Sequence, residues 1–151
     1  MTNNITENSA LNSVLETSLR VLLLLSEANV WPLSKLTIAE IDFMATFGKE
    51  FGLSSNNLHG DNEYKFSQLP ARKKLIDASL KKLVCFGLVS VDLGKGYRYM
   101  ITDRGTETII GLDDDYSRDY RKVVNKIFLT YNLNQPVSLE EEFKRHSTKE
   151  K

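Results

Sequence analysis

Five consecutive aliphatic residues, Val21 to Leu25, lie inside a stretch with helical spacing, LETSLRVLLLLSEA. Leu15, Leu19, Leu22, Leu23 and Leu25 carry that spacing, so a helix here is apolar on more than one side. Such a helix belongs at the centre of a core, with other elements wrapped round it. The run is far too short to cross a bilayer, which takes about 20 apolar residues. The rest of the chain has to supply the surrounding layers. At 151 residues and 41% hydrophobic it has one domain's worth of sequence to do so.

Asn12 or Ser13 can cap this first helix, and Ser13 followed by Glu16 has the spacing of a capping box. Residues 1–11, rich in Asn, Ser and Thr, read as a disordered end. Asn29 and Pro32 stop the helix. A second helix after Thr37 carries Ile38, Ile41, Phe43, Met44 and Phe47, and Gly48 and Gly52 end it or the turn that follows. The next stretch, residues 53 to about 68, has no clear period. A third helix, from Leu69–Ala71 to about Phe86, gathers Leu69, Ile76, Leu80, Leu83 and Val84 on one face and Lys74, Asp77, Lys81 and Lys82 on the other. Leu88–Leu93 and Tyr97–Ile101 read as two strands joined by Gly94-Lys95-Gly96. Asp103 can cap a short helix. A last helix, from Asp113 or Asp114 to Tyr131, carries Tyr116, Tyr120, Val123, Val124, Ile127 and Phe128, with its aspartates at the favourable end of the helix dipole. The expected fold is therefore mainly α with a small β-hairpin. It is a winged-helix domain over 12–132 with additional C-terminal helices. A polar tail follows over 133–151, in which Val137, Leu139 and Phe143 could form a docking segment.

A single cysteine, Cys85, excludes an intrachain disulfide framework and any zinc site built on several cysteines. With an N-terminus that lacks the pattern of a signal peptide, the reading is a cytoplasmic protein with no membrane contact. Catalysis finds no foothold. His59 and His146, the two histidines, fall in loop and tail, and His59-Gly60-Asp61 reads as a polar turn. Asp113-Asp114-Asp115 lacks the spacing of a calcium loop. Cys85 reads as a buried or half-buried structural cysteine. No nucleophile–base pair, metal set or phosphate loop emerges, so no enzyme activity, cofactor or metal is expected.

Charge is uneven although the total is zero. Residues 1–67 hold 4 basic and 8 acidic side chains, whereas residues 68–104 hold 8 basic and 3 acidic. The third helix and the hairpin thus carry Arg72, Lys73, Lys74, Lys81, Lys82, Lys95, Arg98 and Arg104. Basic side chains there suit phosphates or an acidic partner surface. They equally suit the solvated face of an amphipathic helix. Few Asn, Gln, Ser or Thr residues stand on that face to read bases. Specific DNA reading, non-specific contact within a larger complex and no DNA contact all remain open. Candidate partner contacts are Trp31, in the loop-like VWPL, together with Leu58 and His59 in the 53–66 loop and Tyr116 and Tyr120 one turn apart on the last helix.

Several stretches resemble a known family. Asn12, Ser13, Glu16, Leu19, Arg20, Leu22, Leu24 and Leu25 match the opening helix of the small middle components of bacterial three-component ABC-ATPase conflict systems. LTIAEIDFMATFGKEFG is similar to that family's next helix, with Asp42 matching and Phe47 and Glu50 standing at its His and Asp positions. Ser54, Ser55, Leu58 and His59 resemble its Ser-Leu-His loop without the flanking prolines. Arg72-Lys73 falls where a paired Arg motif opens the third helix. LKKLVCFGLV resembles the entry to the wing, and Asp114-Asp115-Tyr116 echoes the last helix. The resemblance spans about residues 11–132. It implies a non-catalytic accessory subunit of a Lamassu-type antiphage or antiplasmid system. Such a subunit binds an SMC- or Rad50-like ABC ATPase and helps couple DNA sensing to an effector, often a nuclease. The rival expectation is a stand-alone transcriptional regulator, dimerising through Tyr120, Val124 and Ile127.

Overall fold

The computed structural model describes residues 2–29, 31–59, 65–94, 96–131 and 141–146, with side chains from residue 14 onward. Helix α1 (Thr2–Ala28) is the central element and packs against α3 and α5. It starts well before the expected cap at Asn12 or Ser13, because neither Gly nor Pro interrupts the residues preceding Ser13. Val21 to Leu25 are buried on every side of the helix, as a run of five aliphatic residues demands. Asn29 ends α1 in the left-handed region, φ 57°, with its N–H donating to the Leu25 carbonyl. Asn tolerates that conformation better than most residues.

A two-residue strand β1 (Leu33–Ser34) leads into α2 (Lys35–Thr46). Ser34 caps α2, its hydroxyl accepting from the Thr37 N–H at 3.2 Å. Ile38, Ile41, Phe43, Met44 and Phe47 are all buried. A 3₁₀ turn, Gly48–Phe51, follows and closes at Gly52 in the left-handed region. A second, Lys65–Gln68, runs straight into α3 (Leu69–Cys85), with Pro70 in its first turn, where a missing N–H costs nothing. Ile76, Leu80 and Leu83 face the core, and Lys74, Lys81 and Lys82 face solvent. Cys85 is exposed rather than buried or half-buried. It lies about 200° round the helix from Leu83, away from the core face.

Strands β2 (Val89–Asp92) and β3 (Arg98–Ile101) form the expected hairpin. The sheet has three strands rather than two, in the order β1-β3-β2, all antiparallel. Leu33 pairs with Tyr99, and Val91 pairs with Tyr99 from the other side. Tyr99 packs on the core while Tyr97 is exposed, so the two tyrosines do not share one role. Helix α4 (Asp103–Ile109) is capped by Thr102 and not by Asp103. The Thr102 hydroxyl accepts from the Gly105 N–H at 3.0 Å and donates to the Gly87 carbonyl at 2.7 Å, tying α4 to the end of α3. Gly105 lets that helix approach closely: a Cβ there would sit 2.2 Å from the Leu88 carbonyl oxygen. Helix α5 (Asp115–Thr130) is capped by Asp114 and buries Tyr120, Val123, Val124 and Ile127.

Residues 141–146 form a further helical turn. Phe143 is buried in an aromatic cluster, 5.4 Å from Phe43, 5.7 Å from Phe66 and 6.2 Å from Phe51 between ring centres. The segment read as a polar tail thus contributes an anchor to the core. Val137 and Leu139 lie outside the described residues. Among the described residues no helix is long and apolar enough to cross a membrane.

Candidate functional site

Four helices meet at one carboxylate. Asp42, in the middle of the apolar face of α2, is buried, and so are Arg20 of α1 and Tyr120 of α5. Arg20 Nε donates to Asp42 Oδ1 at 2.8 Å, and its Nη2 donates to Thr17 Oγ1 at 3.2 Å. Arg72, from the first turn of α3, donates through Nη2 to Asp42 Oδ2 at 2.9 Å. The Tyr120 hydroxyl donates to Asp42 Oδ1 at 2.8 Å. The Arg72 guanidinium also lies over the Phe43 and Phe47 rings, 5.6 and 5.5 Å from their centres. Burial alone would raise the Asp42 pKa. The charges of Arg20 and Arg72, with the hydrogen bonds from Arg20 and Tyr120, more than offset it and hold the carboxyl well below the usual range. Burial likewise opposes the Arg20 charge, but Asp42 raises its pKa above the ordinary value. Burial and the neighbouring Asp42 charge push the Tyr120 hydroxyl well up.

Beside this cluster the loop after α2 meets the start of α5. His59 Nε2 and the Tyr116 hydroxyl hydrogen-bond at 2.6 Å, and the His59 N–H donates to the Thr46 carbonyl at 3.3 Å. Tyr116 stacks on Tyr120, with ring centres 6.3 Å apart and planes 8° from parallel. His59 is exposed as a residue, but its ring is partly desolvated and feels the charges of Arg20 and Arg72. These effects, desolvation first, lower its pKa to about 4, so the ring is neutral at pH 7 and accepts a hydrogen bond readily. Burial raises the pKa of Tyr116. His59 and Tyr116 open on a cavity of about 730 Å³, whose walls include Glu16, Leu58 and Leu112. A smaller cavity of about 340 Å³, also lined by Glu16 and His59, reaches Arg20 and Arg72.

The candidate partner residues therefore divide. Leu58, His59 and Tyr116 come together. Tyr120 is completely buried, and its hydroxyl is used by Asp42, so it offers nothing to a partner. Val124 and Ile127 are equally buried, which removes the dimer face expected of a regulator: those side chains pack against this chain's own α1 and α2 side. Trp31 stands apart, 44% exposed in the turn before β1. The basic residues divide as well. Arg72 turns inward to Asp42. Lys73, Lys74, Lys82 and Arg98 are exposed, and Lys81 is exposed with an ion pair to Asp77 at 3.0 Å. Asp77 also pairs with Lys35 at 2.9 Å. Lys95 lies outside the described residues, as do Gly60 and Asp61.

The Arg20–Asp42–Arg72–Tyr120 cluster does not follow from helical periodicity, because its hydrogen-bonded partners are separated by 22 to 78 residues. Its trace in the sequence is a charge set inside an apolar run: Arg20 before VLLLL, and Asp42 between Ile41 and Phe43. Charged residues are almost never fully buried without a partner, so two such positions point to each other.

Residues 10–150 match the family model for the ABC-three component (ABC-3C) system Middle Component 2. No curated protein and no solved structure gives a significant match.

Proposed function

The chain belongs to the ABC-three component system Middle Component 2 family, and from that premise we propose that it is a non-catalytic accessory subunit. In this reading it acts in the cytoplasm, in an antiphage or antiplasmid system of the Lamassu type. It binds an SMC- or Rad50-like ATPase and helps couple DNA sensing to an effector such as a nuclease. The family match over nearly the whole chain is the observation that carries the reading. The order α1-β1-α2-α3-β2-β3, with β3 between β1 and β2, supports a winged helix whose wing is β2–β3. Exposed Lys73, Lys74, Lys81, Lys82 and Arg98 on α3 and the wing support salt-dependent contact with DNA held by the assembly, or with an acidic surface of the ATPase. The surface where Leu58, His59 and Tyr116 meet supports a partner contact that the Asp42 cluster holds rigid from behind.

The test is purification of the tagged chain from cells that express the whole system, with mass and stoichiometry measured. Recovery with the ATPase and effector in fixed ratio supports the reading. Recovery of the chain alone, or as a homodimer that footprints a promoter, overturns it.

A further inference from the structure

A second surface lies on a neighbouring face of α1, and Leu19 lines both it and the His59 cavity. A groove of about 610 Å³ runs between α1 and the C-terminal half of α3, with Leu88, and Thr108 of α4, also in its lining. Leu22 and Leu83 form its floor and are buried. Its rims are apolar too: Leu15 is 60% exposed and Phe86 62% exposed. Scattered exposed apolar residues are ordinary, but two large ones lining the same apolar trough are not. Among the described residues the one charged side chain lining it is Lys82. A second cation lies nearby: the Arg104 guanidinium is 3.6 Å from the Cβ position of Gly87, which stands in the chain between Phe86 and Leu88, two residues that line the groove.

We propose that this groove is a docking site for an amphipathic helix of another component of the system, with aliphatic or aromatic anchors on one face and Asp or Glu beside them. The inference rests on the reading above that the chain works by binding other components. Charge complementarity selects the occupant. Apolar anchors at helical spacing fill the trough, and acidic neighbours meet Lys82 and Arg104. The groove is lined chiefly by side chains of α1 and α3, whose backbone groups are bonded within their helices, so an extended segment would gain few ladder hydrogen bonds there. Apolar centre and charged margin are also the usual anatomy of a protein interface.

The experiment uses the full chain co-expressed with the other components. Leu15→Asp and Phe86→Asp each place a charge at an exposed rim position, so the chain's own melting temperature serves as the folding control. Each is expected to weaken the complex at least tenfold with that temperature unchanged. Lys82→Glu with Arg104→Glu is expected to weaken it several-fold and to flatten its salt dependence. Carbodiimide coupling of the wild-type complex is expected to join Lys82 to an Asp or Glu in a helical segment of a partner. If the complex forms and these variants bind as tightly as wild type, the groove proposal falls while the subunit reading stands. If the wild-type chain forms no complex, both fall. A homodimer dissolved by Phe86→Asp, or coupling of Lys82 within its own chain, assigns the groove to a different occupant and overturns the proposal.

Discussion

Replacing Asp42 by Asn keeps the shape of the side chain and removes its charge. Arg20 and Arg72 then face each other across a buried site with no counter-charge, and four hydrogen bonds to the carboxylate lose their ionic strength. Breaking a buried ion pair from one side costs about 3–5 kcal/mol, because the orphaned charge stays desolvated. Domains of this kind are stable by only about 5–15 kcal/mol, so the loss takes a large share. For a chain of this size each kcal/mol is worth about 2–4 °C, giving a melting point about 6–20 °C lower. In urea the midpoint falls by roughly 2 M, given slopes of about 1–3 kcal/mol per molar. Equilibrium urea unfolding followed by far-UV circular dichroism measures this directly. The companion variant, Arg20→Met with Asp42→Leu and Arg72→Met, removes all three charges together and is expected to recover most of the loss, since apolar replacement of a whole buried cluster is often neutral. A cost below about 1 kcal/mol for Asp42→Asn, or a triple variant less stable than the single, would refute the assignment of this cluster as the junction of the four helices.

Four further outcomes follow from the same structure. His59 should titrate near pH 4 by NMR. Its folded pKa lies below the ordinary 6.5, so the stability it contributes is complete above pH 6.5 and lost as pH falls through 4; Tyr116→Phe should move that titration if the hydrogen bond exists. Asp42 acts in the same direction at lower pH, its contribution complete above the ordinary 3.8 and lost on acidification, and acid unfolding of Asp42→Asn should accordingly be less steep. Gly105→Ala should destabilise by at least about 1–3 kcal/mol in thermal unfolding, because the new methyl meets the Leu88 carbonyl backbone. Phe143→Ala should cost about 3 kcal/mol and increase hydrogen exchange at Phe51 and Phe66, which an undocked tail would not do.

The elements with long, regular apolar spacing were legible from sequence. Helix α3 is the clearest example, since Ile76, Leu80 and Leu83 turn inward as their spacing requires and Pro70 marks its first turn. Strand β1 was not legible: two residues, Leu33 and Ser34, are too few to display alternation, and their pairing with β3 is a long-range event. Arg72 illustrates how a site can be misread. In PARKK it sits with the basic residues of a solvated face, yet it lies at the first turn of α3 beside α2, where the buried Asp42 draws it in. Tyr116 and Tyr120 look alike on paper, one turn apart. Only the surrounding helices decide that Tyr120 is sealed inside while Tyr116 reaches the His59 cavity.

The subunit reading turns on where this chain is covered when the system is assembled. Hydrogen exchange of the chain alone and in the co-purified complex measures that in one comparison. Slower exchange around Leu58, His59 and the first turn of α5, and from Lys82 at the end of α3 to Leu88, is the predicted result. Identical exchange in both states, at every peptide, would contradict it.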